Sequence, residues 1–319
     1  MPRPTVIVLH DNEEWLPPFQ RAFEAEGVVL EPWHLGERAI DLDGVAPDAV
    51  VWSRLSASAH TRGVPHALDT ASAILSWAEA QGRRVVNGSR VASLEVSKVR
   101  QHALLRAAGL DAPRTIAATS DAALAAAARQ IGSPFITKHN RGGKGLGVRR
   151  FDSPEELDAA LAASELERPI DGIALVQELL VGRDASITRA EFVGGRFRYA
   201  VRVDTSQGFE LCPADACRVP GADDAAEAKP APLFRLRPEI TAEHPLIRDL
   251  EALLAREGVE IAGVEFIETI DGRTVPYDIN TNTNYSPDVE AELGDRGAAA
   301  AVARFLGALA RDQASVAVG

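Results

Sequence analysis

The residues best suited to chemistry in this 319-residue chain lie in KHNRGGKGLGV, residues 138–148. The apolar run Pro134-Phe135-Ile136-Thr137 precedes them and reads as a strand, so Lys138 stands at a strand end. Gly142, Gly143, Gly145 and Gly147 follow at once. Glycines let a backbone turn tightly and approach an anion, with amides free to donate to phosphate oxygens. Lys138, Arg141 and Lys144 add positive charge there. The pattern predicts a nucleotide-phosphate loop. A second stretch, GVEFIETIDGRTVPYDINTNTN, residues 263–284, offers hard oxygen ligands. Glu265 falls on one strand; Asp278 and Asn280 fall two apart on the next, so they share a face. Across a hairpin the three can converge on an ion such as Mg2+, with Mn2+ taking the same donors. The alternative reading is a solvated strand edge.

These residues need elements to hold them. Thr5–Leu9, Ala49–Trp52 and Arg84–Val86 read as strands, with helices near Phe19–Ala25 and Ala67–Ala80 between them. That alternation predicts a small α/β lobe with a parallel sheet over residues 1–90. Residues 91–175 form a second unit. One helix is expected to run from Ser89 through Lys98 to Leu105, and Ser120 and Ser153 cap two more. The third unit, residues 176–319, opens with a hairpin turning at Gly194-Gly195 and carries another at Asp271-Gly272. Between them, residues 221–238 read as a mobile loop, and a helix covers His244–Glu257. No internal repeat is present.

The net charge of −12 argues against a broad nucleic-acid or anionic-membrane surface, which needs excess Lys and Arg. No apolar run approaches about 20 residues and the N-terminus has no apolar signal core, so the expected address is the cytoplasm. Cys212 and Cys217 are no disulfide framework; their spacing suits half a zinc site, without a second pair nearby.

Five pieces occur in one order: RLSASAHTRG (54–63), NGSRVASLEVSKVRQHALLRAAGLDAPRT (87–115), PFITKHNRGGKGLGV (134–148), LVQELLVGRDAS (175–186) and YDINTNTN (277–284). Together they resemble the ATP-grasp superfamily, and within it the RimK-type carboxylate–amine ligases. The resemblance implies a three-lobed α/β architecture with ATP between the central and C-terminal lobes. By resemblance, Lys98 and Lys138 are the ATP-contacting lysines, and Arg141 to Gly147 is the lid over the β- and γ-phosphates. Gln177, Glu178, Leu179 and Leu180 match the linker that grips adenine, and Asp184 a ribose contact. Arg202 matches an arginine near the transferred phosphate. Glu265, Asp278 and Asn280 match the magnesium ligands, with Asn282 a further contact. Arg54 and His60 lie in the loop after an N-terminal strand, where open α/β sheets bind ligands, and Arg54 could hold a substrate carboxylate.

The implied activity joins a small-molecule or peptide carboxylate to an amine through an acylphosphate, using ATP and Mg2+. A homo-oligomer is consistent with it. RimK-type ligases follow the hairpin arginine with an Arg-x-Asn stretch; here the region reads GFELCPADACRVP, residues 208–220, which leaves the acceptor open. Two other readings stand beside the ligase: a kinase that releases a phosphorylated carboxylate or hydroxyl, and a non-catalytic nucleotide-binding module.

Overall fold

The β-branched and aromatic runs near the N-terminus form a parallel sheet: β1 (Thr5–His10), β2 (Val29–His34), β3 (Val50–Arg54) and β4 (Val85–Val86), in the order β2-β1-β3-β4. The computed structural model describes residues 3–143, 145, 147–206 and 233–316. Strand β2 was not expected. Its VLEPWH sequence carries Pro32, which a central strand excludes but an edge strand tolerates, and β2 is the edge. Helices α1 (Pro17–Ala25) and α2 (Ala67–Ala80) flank this sheet.

The expected helix from Ser89 to Leu105 is two. Helix α3 (Ser89–Glu95) ends, and Ser97, extended at φ −138°, caps α4 (Lys98–Ala107) by accepting from the Arg100 amide at 3.3 Å. The central sheet, antiparallel in the order β5-β8-β6-β7, holds β5 (Thr115–Ala118), β6 (Phe135–His139), β7 (Arg149–Phe151) and β8 (Ala174–Glu178). Helices α5 (Asp121–Ile131) and α6 (Pro154–Ala162) belong to it, packed around the stacked Phe135 and Phe151 rings.

The third sheet is antiparallel, β11-β10-β9-β12-β13, from β9 (Ser186–Val193), β10 (Arg196–Asp204), β11 (Phe234–Leu236), β12 (Ile261–Glu268) and β13 (Thr274–Asn280). Gly194 and Gly195 both have positive φ, 64° and 68°, as the tight turn between β9 and β10 requires. Part of the segment read as a mobile loop is ordered: residues 234–236 add the edge strand β11. Residues 221–232 of it lie outside the described residues, as do Cys212, Asp215 and Cys217. Helix α7 (Pro245–Glu257) covers one face, and α8 (Pro287–Leu293) leads to the long α9 (Ala298–Val316). Among the described residues no helix is long and apolar enough to cross a membrane.

The first and third sheets share one core. Val6, Val8 and Trp52 from the first, Ile187, Val201 and Ile261 from the third, and Val302 and Leu306 from α9 belong to a single buried cluster. Phe19 sits inside it, 5.2 Å from the Trp52 ring and 5.8 Å from Tyr285. Removing that ring should cost about 3–5 kcal/mol. In Phe19→Ala, tryptophan fluorescence and far-UV circular dichroism are expected to melt together at a lower temperature; two separated transitions would show that the sheets unfold independently.

Candidate active site

The helix break is what delivers Lys98. At the start of α4 the free amides need acceptors. Asn140, just past β6, supplies two: its carbonyl accepts from the Lys98 amide at 3.1 Å and its Oδ1 from the Val99 amide at 2.8 Å. Asn140 is two residues beyond Lys138, so one side chain ties the two lysines' elements together. Gln101, one turn on, is 1% exposed and pairs with the edge strand β13 as a peptide would. Its Oε1 accepts from the Ile279 amide at 3.0 Å and its Nε2 donates to the Ile279 carbonyl at 2.9 Å. Lys98 is thereby held over β13, and its Nζ donates to Asp278 Oδ1 at 2.8 Å.

Asp278 stands directly across the ladder from Glu265, so both carboxylates occupy one face of the sheet. A bulge beside Glu265 gives β13 an extra residue, Tyr277, whose hydroxyl donates to Glu265 Oε2 at 2.9 Å. Burial, and then the Asp278 charge, push the Glu265 carboxyl up to about 6. Burial pulls Lys98 down, but Asp278 and Glu265 outweigh it and hold its ammonium above the ordinary lysine value. Lys138 makes no ion pair with either acid, and their charges offset its burial only in part. Burial, and then the neighbouring Lys98 charge, bring its ammonium down to about 7. Its Nζ lies 6.0 Å from the Tyr277 ring centroid. Tyr277, Leu105, Pro113, Leu175 and Gln177 line a narrow cleft that both lysines also face.

The set Glu265, Asp278 and Asn280 suits a hard divalent cation by its chemistry: two carboxylates and an amide, all oxygen donors. Asn282 Oδ1, two residues beyond Asn280, is buried with no hydrogen-bond partner. The raised Glu265 pKa marks a pair of buried negative charges that a cation would relieve. The residues present therefore fit Mg2+.

The other expected residues divide. Gln177 is 6% exposed on β8, opposite Thr115 and Ile136. Glu178 Oε1 accepts from the Arg114 amide at 2.9 Å and from Arg273 at 3.3 Å, bridging the central sheet to the β12–β13 hairpin. Leu179 and Leu180 are half-buried in the linker, which runs on to an isolated bridge between Gly182 and Thr269. In the glycine loop, a Cβ on Gly143 would lie 3.6 Å from Ser58 Oγ, and one on Gly147 3.1 Å from the His139 ring, so the loop leans toward the N-terminal sheet. Arg141 is buried beside His60, while Gly142 and Gly145 are described and Lys144 lies outside the described residues.

Two expectations need correction. Arg202 is not brought to the acids. It registers with Thr188, which registers with Phe266 in the apolar core, whereas Glu265 registers with Arg189. Alternation along a strand therefore turns Arg202 to the face away from Glu265. It pairs there with Asp184 at 3.2 Å, and Asp184 also accepts from Ser186. Nor is Arg54 left free for a carboxylate. It is 2% exposed, donates to the Thr283 carbonyl at 3.0 Å and to Asn284 Oδ1 at 2.7 Å, and stacks 4.4 Å over Phe19. The arginine beside Glu265 is Arg189, which sequence reasoning missed. It donates to Glu191 at 2.6 Å and to the Asn284 carbonyl at 2.8 Å, and a Cβ on Gly263 would meet its Cδ at 3.3 Å.

No protein-family model matches the chain. It is 34% identical to a D-alanine–D-alanine ligase of Streptomyces griseus over 164 residues, 50% of this chain and 39% of that protein. It is 27% identical to one of Frankia casuarinae over 212 residues, 63% of this chain and 51% of that protein. The matches thus span about half, or less, of those relatives' length. Among solved structures, a RimK-domain ATP-grasp protein from Sphaerobacter thermophilus superposes with a TM-score of 0.64 at 19% identity, over 95% of this chain and 99% of that one. D-cycloserine synthetase DcsG gives 0.65 at 18% identity, over 96% and 99%. The chain has the ATP-grasp fold.

A lysine depressed by burial carries a stability signature in this ATP-grasp chain. The Lys138 pKa falls from 10.5 to about 7 on folding. Between those values the unfolded chain holds a proton that the folded chain has shed, so stability rises with pH. Lys138→Met removes that contribution. Thermal melts between pH 7 and 9.5 should show a smaller rise in Tm for the variant, and a higher Tm than wild type at pH 7; identical pH profiles would mean that Lys138 is not depressed.

Proposed function

We propose that this chain is an ATP- and Mg2+-dependent carboxylate–amine ligase that works through an acylphosphate. One observation carries the reading: Lys98 and Lys138, from separate elements tied by Asn140, line one cleft, and Lys98 joins it to the Glu265–Asp278 pair through its contact with Asp278. In the proposed reaction a substrate carboxylate oxygen bonds the γ-phosphorus as the bond to the bridging oxygen of ADP breaks. The amine nitrogen then bonds the acyl carbon, inorganic phosphate leaves, and the nitrogen sheds a proton.

Phosphoryl transfer leaves little covalent work to side chains, and positioned charge does most of it. Lys138, depressed while no anion faces it, takes up a proton as a phosphate arrives. Lys98, already charged and paired with Asp278, would contact the phosphates of bound ATP. Arg189 lies on the same sheet face as Glu265, held by Glu191 and the Asn284 carbonyl, and is proposed to supply a further cation in place of Arg202, which lies on the other face. Bound Mg2+ would neutralise phosphate oxygens and would be held by Glu265, Asp278 and Asn280; Mn2+ suits the same oxygens. Tyr277, Leu175 and Gln177 would meet the adenine. The glycine loop would exclude the water that hydrolyses an acylphosphate.

The lobes are proposed at 1–90, 91–175 and 176–319, with β8 of the central sheet running across the second boundary to Glu178. The curated relatives are named as ligases, which favours amide formation over release of a phosphorylated product. PsnB, a neighbour at TM-score 0.65 and 19% identity over 97% of this chain and 99% of that one, was solved with a minimal precursor, so peptide as well as small-molecule substrates belong in a screen.

An ADP-release screen with acid and amine pairs tests the reading, and ADP release that needs no amine would overturn it. Arg189→Ala should lower turnover by about 100-fold or more, as loss of a transition-state cation does, whereas Arg202→Ala should stay within about threefold of wild type. The reverse order would reinstate Arg202. Nucleotide affinity should fall by up to about tenfold per pH unit above 7, because binding reprotonates Lys138, and Lys138→Arg should flatten that slope. A slope unchanged in Lys138→Arg would sink the proton-uptake step.

A further inference from the structure

Arg141 opens the glycine loop but does not share the lysines' surroundings. The charges that act on it are Asp171 and Asp69, and it in turn lowers the His60 pKa. Those acting on Lys138 are Lys98, Asp278 and Glu265, with no member in common. Arg141 is 8% exposed, and its Nε and Nη2 are both buried without a hydrogen-bond partner among the described residues. His60 Nδ1, from the loop after β3, is unpartnered too.

Nε and Nη2 form the side-on edge of a guanidinium, whose two parallel N–H bonds match a carboxylate. Arg273 uses that edge in that way, reaching the two oxygens of Asp111 at 2.8 and 3.2 Å, while Arg62 and Arg150 turn the same edge on a single oxygen of Asp11 and of Asp152. In Arg141 the same edge is buried and empty-handed. A buried charged donor left unpaired is costly, so a fork kept this way implies a ligand.

We infer that the Arg141 fork, beside His60, anchors a carboxylate of a substrate on the N-terminal side of the glycine loop. The inference rests on the ligase reading and narrows its substrates. A carboxylate neutralised by a guanidinium is a poor nucleophile toward phosphorus, so the anchored group is not the one that reacts. One of the two substrates then carries an additional carboxylate, as an amino acid acceptor or a dicarboxylic acid does.

The test uses the full chain labelled with 15N-arginine, reading the Arg141 Nε–H resonance, which is assigned by its loss in Arg141→Gln. Acetate and succinate are titrated in one arm and AMP-PNP with Mg2+ in the other. The carboxylates should shift the resonance and saturate, while the nucleotide leaves it in place. Arg141→Lys keeps the charge but loses the fork, so carboxylate affinity should drop by about tenfold or more. A resonance moved by AMP-PNP, with nucleotide affinity lost in both variants, would assign the fork to a phosphate and overturn the inference. A resonance moved by neither probe would overturn it as well, leaving the fork to buried water. Failure of the wild-type chain to bind AMP-PNP would count against the ligase reading alone.

Discussion

Two carboxylates set directly across a strand ladder, in a buried place, repel each other and lose hydration at once. Glu265 and Asp278 are in that position, and the surroundings answer their charge. Tyr277, extruded by a bulge, donates to Glu265. Lys98 donates to Asp278 from α4, and Arg189 lies at the register position beside Glu265 on β9. Each partner comes from a different element, so the charge pair specifies how those elements meet. The break between α3 and α4, the Gln101 pairing with Ile279 and the Asn140 cap on α4 bring Lys98 to one carboxylate.

Lys138 is the exception, a cation with no ion pair among the described residues. It is buried beside another lysine with no acid paired to it among the described residues, which depresses its charge. Burying a cation in that way costs stability and contributes nothing to the fold. Such a cost is characteristic of sites where charge is held ready for a ligand.

The N-terminal sheet is bound to the C-terminal one by polar contacts as well as by their common core. Asn87, in the left-handed region at φ 53°, donates to the Ile261 carbonyl at 2.8 Å and accepts from the Glu260 amide at 3.0 Å. Glu95, pushed up to about 7 by burial, accepts from the Thr281 amide and hydroxyl where β13 ends. With Arg54 on Thr283 and Asn284, these contacts fix the strand that carries Asp278 and Asn280 against the loop after β3. The candidate site is therefore a junction of three sheets.

Much of this was legible in the chain of letters, because it is local. Glycine spacing after an apolar run, period-two placement of Asp278 and Asn280, the Gly194-Gly195 and Asp271-Gly272 turns, and serine caps all depend on neighbours within a few residues. What the sequence left open is non-local. Whether Arg189 or Arg202 faces the acids is decided by strand register, and one residue's difference in parity exchanges the two faces of a sheet. Nothing near Arg54 announces that its guanidinium closes on residues 229 and 230 positions away. The helix break before Lys98 is favoured by a capping serine, but its acceptors come from Asn140, 41 to 43 positions away. The sequence determined which residues could serve phosphate and metal; tertiary packing decided which of them share a cleft, because burial and pairing are set by partners that the chain meets only when folded.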